Sequence, residues 1–292
     1  MMHDGWIILD KPSGMFSRRA AGIVARMFGA RTFGHIGTLD EMASGVLPVA
    51  LGNATKMIPF VEEIRPTIKE YTFSLKFGFE TDTLDAYGRT LVRSDVIPSR
   101  DLVTGILPTL TGDVMQTPPA YSAVHIDGHR AYDVARRGGA VDLPARCVHI
   151  ETLELLDTHG DEWTFRTRCV RGTYVRAIAR DIAKKCNSVA TVTMIRRTES
   201  IGFTIKDAVK LDFLEKLVNN GGDFGEYLKS VDFGLGDIPV QNLDGKSAEL
   251  YKNGGFIVTS GADGLRRVYC GSEFIGIGYV ASNTLRPKRT IK

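Results

Sequence analysis

The sequence predicts an α+β protein, and three observations carry that prediction. Residues 68–77 alternate: Tyr71, Phe73, Leu75 and Phe77 share one face, and Glu70, Thr72, Ser74 and Lys76 the other, as in a half-buried strand. Two other segments place apolar residues at helical spacing. One carries Ala20, Ile23, Val24, Met27 and Phe28, the other Val175, Ile178, Ala179, Ile182 and Cys186. From about Ile238 the chain changes to short strand-like runs with many glycines, such as residues 256–258 and 274–277. We therefore expect a larger body, residues 1–236, followed by a small all-β module, residues 237–292.

Each element has a local reason. Trp6, Ile7, Ile8 and Leu9 form an uninterrupted apolar run closed by a Lys-Pro-Ser-Gly turn, so they read as a buried strand. Ser17 is placed to cap the first helix and Gly29 to end it. Residues 34–48 hold three glycines and a proline and read as a loop, with the apolar segment 46–51 at its end. Residues 81–88 are rich in Thr, Asp and Gly, so Asp82 and Asp85 read as turn formers rather than an acid/base pair. Residues 163–170 alternate again and read as a strand, after which Gly172 and Thr173 start the second helix. Arg176 sits in that helix's first turn, off the apolar stripe, where a cation opposes the helix dipole. It is either an ordinary exposed arginine or one with a partner elsewhere. Residues 204–236 read as helices and connections, broken at Gly221-Gly222.

Composition narrows the classes. With 292 residues, 43% hydrophobic and 24% charged, the chain is an ordinary globular protein rather than a disordered or fibrous one. A net charge of only +3 means that any nucleic-acid binding must come from local patches. Residues 116–150 offer one: prolines and glycines, with Arg130, Arg136, Arg137 and Arg146 interleaved with Tyr121, His125 and Tyr132. That mixture reads either as an RNA-contacting surface or as a solvated, irregular insertion. His125 and His129 are four apart, but Gly128 between them opposes the helix that a metal pair would need. Four cysteines without a Cys-x-x-Cys pair suit a reducing cytoplasm. The N-terminal residues do not read as a signal peptide, and no run approaches 18 apolar residues, so no membrane association is expected. Gly245-Lys246-Ser247 lacks the first glycine of a phosphate loop, and Gly276-x-Gly278 leaves too little chain for a βαβ unit.

Within the 34–48 loop, His35 and Asp40 have no evident local charge partner. They read either as a satisfied loop histidine and a cap, or as chemistry carried on a scaffolded loop. The wording of the stretch bears on this. Gly34-His35-Ile36-Gly37-Thr38-Leu39-Asp40-Glu41-Met42-Ala43-Ser44-Gly45-Val46-Leu47-Pro48 resembles the signature of the TruB family of tRNA pseudouridine synthases, roughly G-H-x-G-T-L-D-P-x-A-[ST]-G-V-L-P. Two positions depart: Ile36 stands where a small or polar residue is usual, and Glu41 replaces a proline, adding a negative charge beside Asp40. Further resemblances follow in order over about the first 200 residues. They are Leu9-Asp10-Lys11-Pro12-Ser13-Gly14, Leu51-Gly52-Asn53-Ala54-Thr55-Lys56, Lys69-Glu70-Tyr71, Thr81-Asp82-Thr83-Leu84-Asp85-Ala86-Tyr87-Gly88, Pro118-Pro119-Ala120-Tyr121-Ser122-Ala123 and Gly172-Thr173-Tyr174-Val175-Arg176.

The resemblance implies a catalytic domain built on a central mixed, largely antiparallel sheet flanked by helices. It also implies an RNA-gripping insertion at 116–150 and a C-terminal PUA-like RNA-binding module. The implied reaction converts a uridine of the tRNA TΨC loop, position 55 in tRNA numbering, to pseudouridine. Asp40 matches the family's nucleophile, Tyr71 its active-site tyrosine and Arg176 the partner of the aspartate. Substrate contacts are implied for His35, Gly37, Thr38, Leu39, Tyr174 and Ile195, and for Arg130, Arg136 and Arg137 of the insertion. Lys11 either holds a phosphate or braces the loop. The implied partner is the TΨC stem-loop, with a monomeric enzyme that needs no obligatory protein partner.

The chemistry fits these side chains. The glycosidic bond breaks, the base turns and rejoins through carbon, so a nucleophile, a proton acceptor and a grip on uracil are needed. No redox or phosphoryl step occurs, so neither cofactor nor metal is expected. In a site that excludes water an ionised Asp40 needs a nearby cation; a pair at about 4 Å attracts by roughly 4 kcal/mol at an effective dielectric near 20. Flipping the uridine out costs a few kcal/mol. A stacked His35 ring is worth about 1–3 kcal/mol toward that. Two rival classes stay in view. One is a non-catalytic RNA-binding or tRNA-folding protein on the same scaffold; the other is a glycoside hydrolase, which would need a second carboxylate near Asp40.

Overall fold

The computed structural model describes residues 4–122, 124–126, 129–139 and 141–291, without the side chains of residues 125, 126, 129, 130 and 136. Its centre is a ten-stranded mixed sheet. Strand β1 (Gly5–Lys11) lies antiparallel to β3 (Ser44–Leu51), and β2 (Phe33–His35) pairs with the end of β3. The Ala190–Ser200 strand then joins β3 in parallel and β4 (Ile68–Phe77) antiparallel. Beyond β4 come Glu162–Val170, Arg146–His159 and Gly112–Gln116, all antiparallel. The sheet is thus mixed and largely antiparallel, as the resemblance implies.

Both faces of β1 and β3 are buried, which explains their continuous apolar runs. Ile7, Leu9, Leu47 and Val49 face one core with helix α1 (Ser17–Met27), the Val175–Lys185 helix, Phe73 and Leu75. Trp6, Ile8, Val46 and Ala50 face the other, where Met57, Val61, Phe203 and Leu235 pack. Alternation along β4 appears as expected, with Tyr71, Phe73, Leu75 and Phe77 all buried.

Four local expectations change. The loop is shorter than 34–48, because β2 includes His35 and β3 begins at Ser44. Pro48 lies inside β3, where the strand has left its parallel partner and has yet to pair with β2, so its missing N–H interrupts no ladder. Ser17 is the first helical residue rather than a cap, because its hydroxyl is engaged by Leu39. The second helix starts at Val175, two residues later than Thr173.

The C-terminal region forms a separate five-stranded sheet, but it is not all β. The Gly245–Lys252 helix, capped by Asp244, packs on it through Ala248 and Tyr251. The false phosphate-loop motif is the first turn of that helix. Ile277 and Ile291 insert into the second core beside Trp6 and Val46, so this sheet is docked on the body. Asp232, just before it, accepts from Arg267 at 3.0 Å and from the Tyr269 hydroxyl. No helix among the described residues is long and apolar enough to cross a membrane.

Candidate active site

The Asp40 segment, residues 36–43, crosses between β2 and β3 and is tied down along its length. Ile36, Leu39, Met42 and Ala43 point into the cores, which leaves Thr38 and Asp40 exposed between buried neighbours. Ser17 Oγ donates to the Leu39 carbonyl at 3.0 Å and accepts from its N–H at 2.9 Å. The turn after β1 supplies a second clamp: Ser13 Oγ donates to the Met42 carbonyl, and the Gly14 N–H to the Glu41 carbonyl. Lys11 is fully buried and donates to the carbonyls of Pro12, Met15 and Glu41. Of its two possible roles, this geometry favours the brace over a phosphate contact. Burial pushes the Lys11 ammonium down to about 8, against the opposing pull of Asp40 and Glu41.

Arg176 is 4% exposed, and its guanidinium meets a different acceptor on each nitrogen. Nε donates to Asp40 Oδ2 at 2.9 Å, Nη1 to the Thr83 carbonyl at 2.8 Å and Nη2 to the Tyr121 carbonyl at 3.0 Å. Asp85 adds a second carboxylate 3.7 Å from Nη1. The turn reading of Asp85 holds, since Oδ1 accepts from Thr83 Oγ1 and the Tyr87 N–H. Its second contact, on the arginine, is one that composition could not reveal. The Asp40 side chain is 42% exposed, so this carboxylate meets solvent rather than lying in a site closed to water.

Tyr71 lies on β4 directly across from Arg197 of the Ala190–Ser200 strand. Burial raises the phenol above its ordinary range, while Arg197 pulls the other way. His35 is half-buried, with Nε2 3.2 Å from Thr38 Oγ1. Burial, then Arg197 and Arg18, lower its pKa, so the ring is neutral at physiological pH and suited to stacking. Gly37 has a left-handed backbone (φ 69°) and a Cβ there would lie 3.1 Å from Arg197 Nη1 and 3.4 Å from Lys69 Nζ. Burial and then Arg197 push Lys69 down to about 8.

Leu39 and Ile195 are 4% exposed and belong to one core cluster with Tyr71. Tyr174 precedes the Arg176 helix and is gripped from both strands that flank the insertion. Gln116 accepts from its N–H at 2.8 Å, and the Arg146 guanidinium stacks 5.3 Å from its ring centroid. Arg137 is exposed in the insertion, whereas the side chains of Arg130 and Arg136 lie outside the described residues, as do those of His125 and His129. Among the described residues no group of three potential metal ligands comes together. Away from Asp40, a cleft of about 470 Å³ between the body and the C-terminal sheet is lined by Lys56, Lys252, Lys288 and Arg289.

Sequence reasoning brought Asp40, Tyr71 and Arg176 forward but missed Arg197, Lys69, Asp85 and Ser17. Ser17 was legible only as a cap.

Residues 25–175 match the family model described as TruB family pseudouridylate synthase (N terminal domain), and residues 239–291 match Pseudouridine synthase II TruB, C-terminal. A tRNA pseudouridine synthase B of Bradyrhizobium diazoefficiens is 38% identical, over 98% of this chain and 85% of the relative. The protein of the same name in Gluconacetobacter diazotrophicus is 37% identical, over 99% and 97%. Among solved structures, a chain of an H/ACA RNP bound to a substrate RNA containing 2'-deoxyuridine superposes with TM-score 0.68. It covers 99% of this chain and 85% of that one at 19% identity, a likeness of fold. The chain belongs to the TruB family of pseudouridine synthases.

Proposed function

We propose that this chain is a tRNA pseudouridine synthase that isomerises the uridine at position 55 in the TΨC loop. The observation that carries the reading is the half-exposed Asp40 carboxylate held by the buried Arg176 on an eight-residue loop braced from several sides. A pseudouridine synthase family chain with this arrangement, whose relatives are named for tRNA, has tRNA as its natural substrate.

In this mechanism the flipped uridine enters beside Tyr71, whose ring stacks on the uracil. Asp40 adds to the nucleotide, the C1′–N1 bond breaks, and the carboxylate leaves again as the base rejoins through C5, which loses its proton while N1 gains one. Arg176 supplies the compensating positive charge and fixes which carboxylate oxygen is free, since Nε occupies Oδ2. The neutral His35 ring fills the space the uridine leaves. Ile195 packs under the base and Tyr174 lines the entry.

We assign catalysis to residues 1–236, the grip on the stem-loop to 116–150 with Arg130, Arg136 and Arg137, and further RNA contact to 237–292. The basic cleft between body and C-terminal sheet supports that last assignment. The enzyme acts as a cytoplasmic monomer without metal or cofactor.

The test uses unmodified tRNA transcript and purified protein with no additive. Pseudouridine is mapped by carbodiimide labelling and primer extension, beside an Asp40→Ala control. One stop in the TΨC loop that vanishes with Asp40→Ala is expected. Binding of tRNA with no stop would overturn the enzyme reading in favour of a tRNA-binding or tRNA-folding protein.

A further inference from the structure

Arg197 is absent from the reaction just described, yet it is 0% exposed and lies against the reacting groups. A buried guanidinium with no carboxylate partner is costly, so what it touches is informative. Nη2 donates to the Gly37 carbonyl at 2.7 Å and Nε to the Val46 carbonyl at 2.8 Å. Gly37 is the second residue of the segment that carries Asp40, and Val46 is the third residue of β3, the strand into which that segment leads. Nη1 has no well-aligned acceptor among the described residues and lies beside Gly37. The guanidinium also bears on the Tyr71 phenol across the strand pair. The backbone of Arg197 makes a further link, because it pairs with Gly45 at the start of β3.

We propose, building on the synthase reading, that Arg197 is a positioning residue: one buried guanidinium ties the start of the Asp40 loop to β3, and stands across from Tyr71, so that loop and ring are held in a single frame. The nucleophile is carried on the loop that leads into β3 and the ring that meets the base on β4, and β3 and β4 are not neighbours in the sheet. The Ala190–Ser200 strand lies between them, and Arg197 is the side chain that reaches from it to both. Arg197 joins the carbonyls of Gly37 and Val46 as Arg176 joins Asp40 to the carbonyls of Thr83 and Tyr121. Burial raises the Tyr71 phenol above its ordinary range, and Arg197, directly across the strand pair, opposes that rise.

The test compares full-length Arg197→Ala and Arg197→Lys with the wild type on unmodified tRNA. For Arg197→Ala the single-turnover rate should fall about 100-fold, the size expected for a sub-ångström to ångström misplacement of reacting groups. Its tRNA Kd should stay within about threefold, and methylguanidinium should restore about tenfold of the lost rate. Arg197→Lys keeps the charge but cannot reach both carbonyls, so about a tenfold loss is expected. Two readouts do not depend on turnover. Amides of residues 36–43 should exchange about tenfold faster in Arg197→Lys, and the Tyr71 ring, followed by 13Cζ-tyrosine NMR in Arg197→Ala, should titrate at higher pH.

Wild-type rate and wild-type exchange in Arg197→Lys would overturn the proposal. So would loss of rate and tRNA affinity together in Arg197→Ala without rescue. If Arg197→Ala does not fold, Arg197→Lys decides alone. If the wild type makes no pseudouridine, the synthase reading fails, while exchange in residues 36–43 still judges the role of Arg197.

Discussion

Arg176 Nε lies 2.9 Å from Asp40 Oδ2 although 136 positions separate the two residues in the chain. The arginine is 4% exposed, and its remaining nitrogens are committed to the carbonyls of Thr83 and Tyr121. The pair therefore belongs to a rigid three-way junction rather than to a surface ion pair, and only the carboxylate end faces solvent.

Arg176→Lys is accordingly not conservative. An ammonium cannot serve three acceptors in one plane, so turnover should fall by about 100-fold or more while tRNA affinity changes by less than about threefold. Single-turnover assays beside filter binding check this; equal loss in both would mean that Arg176 serves binding.

Ser17→Ala removes both hydrogen bonds to Leu39. We expect a loss of about 1–2 kcal/mol in urea unfolding. A rate reduced about tenfold should accompany it, since Leu39 adjoins the nucleophile.

Gly45→Ala should damage the fold itself. The glycine has φ 106°, and a Cβ there would run into the Arg197 carbonyl across the parallel β3 pairing. A loss of about 3 kcal/mol or more, read as a lowered urea midpoint, is expected.

Lys69 carries a pH signature. Its folded pKa is about 8 against the ordinary 10.5, so below pH 8 both folded and unfolded chains hold the charge and the fold is at a disadvantage. Between about 8 and 10.5 the folded chain releases the proton first, and that disadvantage fades. Lys69→Met should therefore stabilise the protein at pH 7, by about 1–3 kcal/mol, and by much less near pH 10. Urea titrations at the two pH values give the difference.

The Asp82 and Asp85 pair illustrates how far local reading reaches. Asp82 accepts from the Arg89 N–H and Asp85 from the Tyr87 N–H, the turn chemistry that their neighbours announce. That Asp85 also faces Arg176 follows from the packing of a distant helix against this turn. The same limit applies to the C-terminal region, where runs of glycine and β-branched residues were legible but the Gly245–Lys252 helix between them was not.

By itself, the sequence determined the alternation of β4, the apolar stripes of α1 and the Val175–Lys185 helix, the wording of the Asp40 loop and hence the family. Each is a local or colinear pattern written in neighbouring residues. Only the tertiary structure decided what the polar residues do. Arg196 and Arg197 are adjacent and chemically identical, yet successive strand residues point to opposite faces. Arg196 grips Asp10 at 2.9 Å, whereas Arg197 is buried on the carbonyls of Gly37 and Val46. Lys11 became a brace and Ser17 a loop anchor for the same reason. A polar side chain is directed by the acceptors that other elements bring within about 3 Å, and those arrive only when the sheet closes over the loop.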